Sequence, residues 1–215
     1  MSAIAVVPVK QFARAKQRLS DDGFRVSRRA LVESMVTDVL QALKRAETIE
    51  LVIVVTQDHD VERLALAWDA EVVHDPDEDS HSAAAMLGVA EARRRGAKSV
   101  LLVAGDCPML NPAEVDALVS RREGLDGVIV VPDRHGTGTN ALMLTPPDAI
   151  APAFGPGSCE RHAALASAAG VPVEVDPLPS LAIDVDTRED LDVLRNALAA
   201  QTGNAAHTRG MLARL

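Results

Sequence analysis

The sequence predicts an α/β fold: one mostly parallel sheet with helices on both faces. Three observations lead there. Apolar runs alternate with amphipathic stretches along most of the chain. Several runs, such as "LVIVVT" and "SVLLVA", are continuously apolar, as expected of strands covered on both faces rather than one. The composition is 47% hydrophobic yet has no Tyr, one Trp and three Phe, so the core between those layers must be aliphatic.

The elements follow in order. "AIAVVPV" is the first strand. "SRRALVESMVTDVLQALKRA" places Val32, Val36, Val39 and Leu43 on one helical face, with Ser27 as its expected cap. "LVIVVT" is the second strand, "DVERLALAW" a short helix and "EVVH" a short strand. "SAAAMLGVAEARRRG" is a helix stopped by Gly96. "SVLLVA" is a buried strand, and "NPAEVDALVSRR" a helix with Asn111 as cap and Pro112 in its first turn. "GVIVVP" is a fifth strand. After Pro132 the rhythm changes: "DRHGTGTNALMLTPP" is a glycine-bearing loop and a strand, and "FGPGSCERHAALASAAG" a turn and a helix. "VPVEV" is a strand, and "DVDTREDLDVLRNALAA" ends in a helix capped by Thr187. No internal repeat or long linker divides the 215 residues, so one domain is expected over 1–200, with a frayed tail over 201–215.

Composition excludes several function classes. A formal charge of −9 and the scarcity of aromatic platforms argue against nucleic-acid binding. No apolar stretch approaches the roughly 20 residues of a spanning helix. The chain enters a strand-like run directly, so no signal peptide is expected, and Cys107 and Cys159 lack metal spacing. Two free thiols in a cytoplasmic protein is the expectation. Nothing in the sequence sets the oligomeric state.

In open α/β sheets, ligands sit beyond the carboxyl ends of the strands. The segments following the strands are the ones to read. "VPVKQFARAKQRLS" places Lys10, Lys16 and Arg18 within nine positions, with no acid before Asp21. This is either a solvated loop or a polyphosphate clamp, since lysine and arginine both suit phosphate oxygens. Neither a Walker pattern nor a dinucleotide glycine fingerprint follows the first strand. In "LLVAGDCPML", Asp106 is either a turn cap or a magnesium ligand, with Gly105 allowing close backbone approach. Asp184 and Asp186 in "AIDVDT" lie two apart and share a direction if the backbone is extended, unless one caps the last helix. "HGTGTN" is either a hairpin turn or a nest of N–H groups around a small anion, and "FGPGS" carries similar chemistry into a helix N-terminus. His135 and His162 read as solvated or hydrogen-bonded histidines near a site.

Together "VPVKQFARAKQRL", "GDCPML", "RHGTGTNAL", "FGPGS" and "IDVDTREDL" resemble the CofC/FbiD-type guanylyltransferases of coenzyme F-420 biosynthesis, over about residues 4–198. The resemblance implies a single nucleotidyltransferase domain of the glycosyltransferase-A type, with a Rossmann-like sheet. It implies GTP and Mg2+ as requirements, and a small phosphorylated three-carbon acid as acceptor. That acid is phosphoenolpyruvate in bacterial members and 2-phospho-L-lactate in archaeal ones. By motif, Lys10, Lys16 and Arg18 would hold the GTP phosphates. Asp106, Asp184 and Asp186 would hold magnesium, and Thr139, Gly155 and Ser158 would grip the phospho-acid. A handover of product to the next enzyme of the pathway is implied as well. One departure stands out: relatives carry a Leu-Asn pair inside the third helix where this chain has "DSHSAAAM", with Ser82 near the Asn position. Two rivals are a related nucleotidyltransferase with another acceptor, and a non-catalytic nucleotide-binding module on the same fold.

Overall fold

A computed structural model describes residues 3–11, 25–77, 79–122, 124–200 and 203–214. Seven strands form one sheet: β1 (Ala3–Pro8), β2 (Ile49–Thr56), β3 (Glu71–His74), β4 (Val100–Val103), β5 (Gly127–Pro132), β6 (Thr139–Thr145) and β7 (Val173–Val175). The helices are α1 (Arg25–Arg45), α2 (His59–Ala67), α3 (His81–Arg94), α4 (Pro112–Ser120), α5 (Ser158–Ala168), α6 (Arg188–Ala200) and α7 (Ala206–Leu212).

The strand order is β3-β2-β1-β4-β6-β5-β7. Strands linked through helices pair in parallel, as crossover connections require. β6 follows β5 through a short loop, so it runs back antiparallel and inserts between β5 and β4. This reversal has a positional effect. The start of β6 lies at the same sheet edge as the ends of β1, β4 and β5, with Ala141 paired to both Val103 and Val131.

The sheet's period of two divides the core. Ala3, Ala5 and Val7 of β1, with Val52, Val54, Leu101 and Val103, face α1, α4 and α6. Ile4 and Val6, with Ile53, Val55, Val100 and Leu102, face α3. On that second face α3 comes very close to β1. A Cβ added at Gly88 would lie 2.2 Å from Val6 Cγ1, so only glycine fits there. Asn111 caps α4 by accepting from the Ala113 N–H, and Gly96 takes the left-handed conformation just past α3.

Two expectations are corrected. α1 begins at Arg25, so Ser27 lies inside its first turn and not ahead of it. The tail expected to fray from Gln201 contains α7, docked on α1. The buried Asp38 carboxylate accepts the His207 and Thr208 N–H groups at 3.0 and 2.8 Å, satisfying donors that a helix start leaves open. Among the described residues no helix is long and apolar enough to cross a membrane. Both cysteines are free and buried.

Candidate active site

The sheet order reverses between β1 and β4, with α1, which leaves β1, on one face and α3, which leads into β4, on the other; in open α/β sheets the ligand crevice lies at such a switch point. A cleft of about 650 Å³ lies at this edge. Asp106, Thr139, Gly155, Ser158, Asp184 and Asp186, all selected from sequence, line it together. A smaller cavity of about 320 Å³ adjoins it, lined by Lys10, Val32 and Gly105 and sharing Asp106, Asp186 and His81. Lys10 therefore faces the same region from β1. Lys16 and Arg18 lie outside the described residues. A third cavity, of about 730 Å³, opens between α1, α2 and the first residues of β2 and β3, away from this edge.

Each acidic residue is placed by a different device. Asp106 follows β4, whose exit is fixed by the Ala104 N–H bonding to the Asn140 carbonyl at 2.9 Å. A methyl group at Gly105 would make only ordinary contacts, 3.4 Å and beyond, with Val9, Val36 and Val7, so the protein's own packing does not demand glycine there. The cap of α6 is made by Thr187 and Asp190: the Asp190 carboxylate accepts from the Thr187 N–H at 2.7 Å, and the Asp190 N–H returns a bond to Thr187 Oγ1 at 3.3 Å. Capping thus falls to that pair, while Asp184 and Asp186 both reach the cleft wall. Burial pushes the Asp184 carboxyl above its ordinary range, and the charge of Asp106 adds to this; the Asn140 amide, bonded to Asp184 Oδ1 at 3.1 Å, pulls the other way.

The "HGTGTN" loop corrects one expectation. Its amides do surround an anion, but that anion is the protein's own Asp133, whose Oδ1 accepts from the His135 and Thr137 N–H groups at 3.1 and 2.9 Å. A Cβ at Gly138 would stand 2.7 Å from Asp133 Oδ2, so a larger residue there would displace that carboxylate. Arg134 ties the same loop to α6 through an ion pair with Asp190.

The opposite wall is made of hydroxyls and a helix start. Gly157, left-handed at φ 71°, turns the chain into α5, whose first residue is Ser158. Ser158 Oγ donates to Thr139 Oγ1 at 3.0 Å, and Thr139 Oγ1 is 3.0 Å from His162 Nδ1. His162 is fully buried, and its Nε2 accepts the Ala153 N–H at 2.9 Å. Ser82 holds the adjoining turn, its hydroxyl accepting the Phe154 N–H at 2.8 Å. His81 and Phe154, both on the cleft wall, meet edge to face with ring centres 4.8 Å apart. Sequence reasoning did not single out Asn140, Asp133, His81 or Phe154. Asn140 and Asp133 were visible in the motif, but a loop residue that supports another loop residue leaves no periodic signal.

A family model described as guanylyl transferase CofC like matches residues 3–215. A Conexibacter woesei protein named phosphoenolpyruvate guanylyltransferase is 50% identical, covering 100% of this chain and 97% of its own length. A Sphaerobacter thermophilus protein of the same name is 42% identical, over 90% of this chain and 93% of its own. A Phenylobacterium zucineum protein named 3-phospho-D-glycerate guanylyltransferase is 34% identical, over 93% of each. Among solved structures, CMP:2-keto-3-deoxy-manno-octonic acid synthetase in complex with CTP superposes with a TM-score of 0.64 at 15% identity, over 94% of this chain and all of that one. A 4-diphosphocytidyl-2C-methyl-D-erythritol synthase gives 0.63 at 15% identity, over 92% and 98%. These two share the fold, and the sequence match goes further: the chain is a member of the CofC-like guanylyl transferase family.

Proposed function

We propose that this protein transfers a guanylyl group from GTP to the phosphate of phosphoenolpyruvate, releasing pyrophosphate, as a step of coenzyme F-420 biosynthesis in the cytoplasm. The observation that carries the reading is the two-sided cleft. Three aspartates, Asp106, Asp184 and Asp186, form one wall, and the Thr139–Ser158 hydroxyl pair at the start of α5 forms the other. The family and the names of its relatives supply guanylyl transfer and the acid.

The chemistry needs little from the protein beyond placement. An oxygen of the acid's phosphate attacks the α-phosphorus of GTP, forming the new P–O bond as the bond to the β-phosphate oxygen breaks. Phosphate monoesters have a second pKa near 6, so that oxygen is already ionised at neutral pH and no general base is required. The obstacle is repulsion between two anions, which positioning and electrostatics must overcome.

The donor set on the acidic wall fits a hard divalent cation. Among the described residues no cluster of three His, Cys, Asp or Glu cages a metal by itself. Mg2+ ordinarily takes one or two carboxylates and completes its shell with phosphate oxygens and water. Asp106, Asp184 and Asp186 would hold it, where it would neutralise phosphate charge. Lys10 approaches the same phosphates from β1, and we assign Lys16 and Arg18 to that role as well. Thr139, Gly155 and Ser158 hold the acid, with the α5 N-terminus favouring its negative charge.

A coupled assay of pyrophosphate release tests this. Release is expected only with GTP, Mg2+ and a phospho-acid together. Equal turnover of CTP, or none with any three-carbon phospho-acid, would remove the assignment. The Phenylobacterium relative raises a second acceptor, 3-phospho-D-glycerate. Competition among phosphoenolpyruvate, 2-phospho-L-lactate and 3-phospho-D-glycerate, with products weighed by mass, decides between them; phosphoenolpyruvate is expected to dominate. Handover of a guanylylated product to the pathway's next enzyme follows as part of the same proposal.

A further inference from the structure

The hydroxyl wall of the cleft has a proton order that follows from one buried ring. The Ala153 N–H is a backbone donor, and it points at His162 Nε2 at 2.9 Å. A nitrogen receiving that bond cannot itself carry a proton. In a neutral imidazole the proton must then sit on Nδ1. Nδ1 lies 3.0 Å from Thr139 Oγ1, so the ring donates to the threonine. Ser158 Oγ donates to the same oxygen at 3.0 Å. A hydroxyl oxygen has two lone pairs, and both are now used. The one hydrogen-bonding function left to Thr139 is its own O–H, and Thr139 lines the cleft.

We propose that His162 is a positioning residue for the phospho-acid: locked as the Nδ1–H tautomer by Ala153, it fills Thr139 and commits the Thr139 hydroxyl to donate into the cleft. The inference rests on the reading of Thr139 as an acid-binding group. Its consequence is selectivity for form as well as for shape. A Thr139 hydroxyl that can only donate welcomes an ionised phosphate or carboxylate oxygen and offers nothing to a ligand group that must itself donate. Burial supports the neutral state of the ring: His162 is fully enclosed, and this, with the nearby Arg161, pulls its pKa down to about 4.

Two amide substitutions separate this role from a purely architectural one. Asparagine places its amide where Nδ1 stands, and glutamine reaches the Nε2 position. His162→Gln therefore keeps an acceptor for the Ala153 N–H and loses the donor to Thr139. His162→Asn keeps the donor and loses the acceptor. The expected result is that His162→Gln raises KM for phosphoenolpyruvate about tenfold, with KM for GTP unchanged. His162→Asn keeps the acid KM within about twofold of wild type and lowers Tm more than His162→Gln does. In a Thr139→Val background, His162→Gln is expected to add nothing further to the acid KM, because the hydroxyl it orients is gone.

The opposite pattern, with His162→Asn damaging acid binding and His162→Gln sparing it, would overturn the proposal. So would equal rises in both KM values. The ring itself gives a readout independent of turnover and of variant folding. Long-range ¹H–¹⁵N correlation on the wild-type protein reports which nitrogen is protonated, and an Nε2–H tautomer overturns the proposal. A wild-type protein that turns over no phospho-acid would sink the guanylyltransferase reading while the tautomer measurement still decides the relay.

Discussion

The Asn140 side-chain amide donates to Asp184 Oδ1 at 3.1 Å and to the Leu181 carbonyl at 2.8 Å. One NH2 group thus has both hydrogens committed, one to a cleft carboxylate and one to the backbone that carries it. Asn140 sits at the start of β6, so the reversed strand is what aims Asp184. Replacing Asn140 by Leu leaves the buried Leu181 carbonyl with only the weak Cys107 S–H, 3.9 Å away, and lets the carboxylate turn. Turnover is expected to fall 10–100-fold, with a higher Mg2+ concentration needed for half-maximal rate. Stability should fall by about 1–3 kcal/mol in urea melts. An unchanged Mg2+ requirement would detach Asn140 from the acidic wall.

Asp106→Asn is expected to reduce turnover by more than two powers of ten, roughly 3 kcal/mol of transition-state stabilisation, with its thermal melt close to wild type. A rate near wild type would leave Asp106 as a turn residue only.

His162 also gives a stability signature. Its folded pKa, about 4, lies below its ordinary value of 6.5, because burial and then Arg161 disfavour the charged ring. Phe154 packs edge-on against it, with His81 beyond. Between pH 6.5 and 4 the unfolded chain binds the proton and the folded one does not. The stabilisation is therefore complete above pH 6.5 and is lost progressively as pH falls towards 4. From pH 7 to pH 5 the loss should be about 2 kcal/mol. His162→Gln should flatten the pH dependence by that amount, and parallel pH profiles for the two proteins would contradict the neutral buried ring.

Asp38→Ala removes the acceptor of two N–H groups at the start of α7. The expected cost is about 1–3 kcal/mol. Hydrogen exchange should show residues 205–212 opening first, and uniform protection loss across the chain would argue against a separately held α7.

Much of the fold was legible because its signals are local. "EVVH" and "GVIVVP" are bounded by residues that end strands, and both match β3 and β5 at both ends. The Asn-Pro start of α4 announces itself in the same way. The placement of β6 between β4 and β5 was not legible, because pairing partners are chosen by non-local packing. α7 was missed for a related reason: its small polar sequence gains order from Asp38, 169 and 170 positions earlier. In the site, Asp106 follows β4, Thr139 begins β6, Asp184 and Asp186 precede α6 and Ser158 opens α5; the sequence motifs pointed to all five, and they line one cleft. Asp133 was concealed, since a carboxylate that fills its own loop reads like any loop aspartate.

The α1–α7 contact orders events during synthesis. α1 leaves the ribosome well before α7, the helix that covers part of it. Until Ala205 and the residues after it emerge, the Asp38 carboxylate has no N–H groups to accept and the apolar residues beside it have no cover from Met211 and Leu212. Such long-range closure slows folding and prolongs the exposure of apolar surface. A nascent chain stalled or truncated before α7 therefore carries an open seam along α1 that a chaperone or protease can recognise.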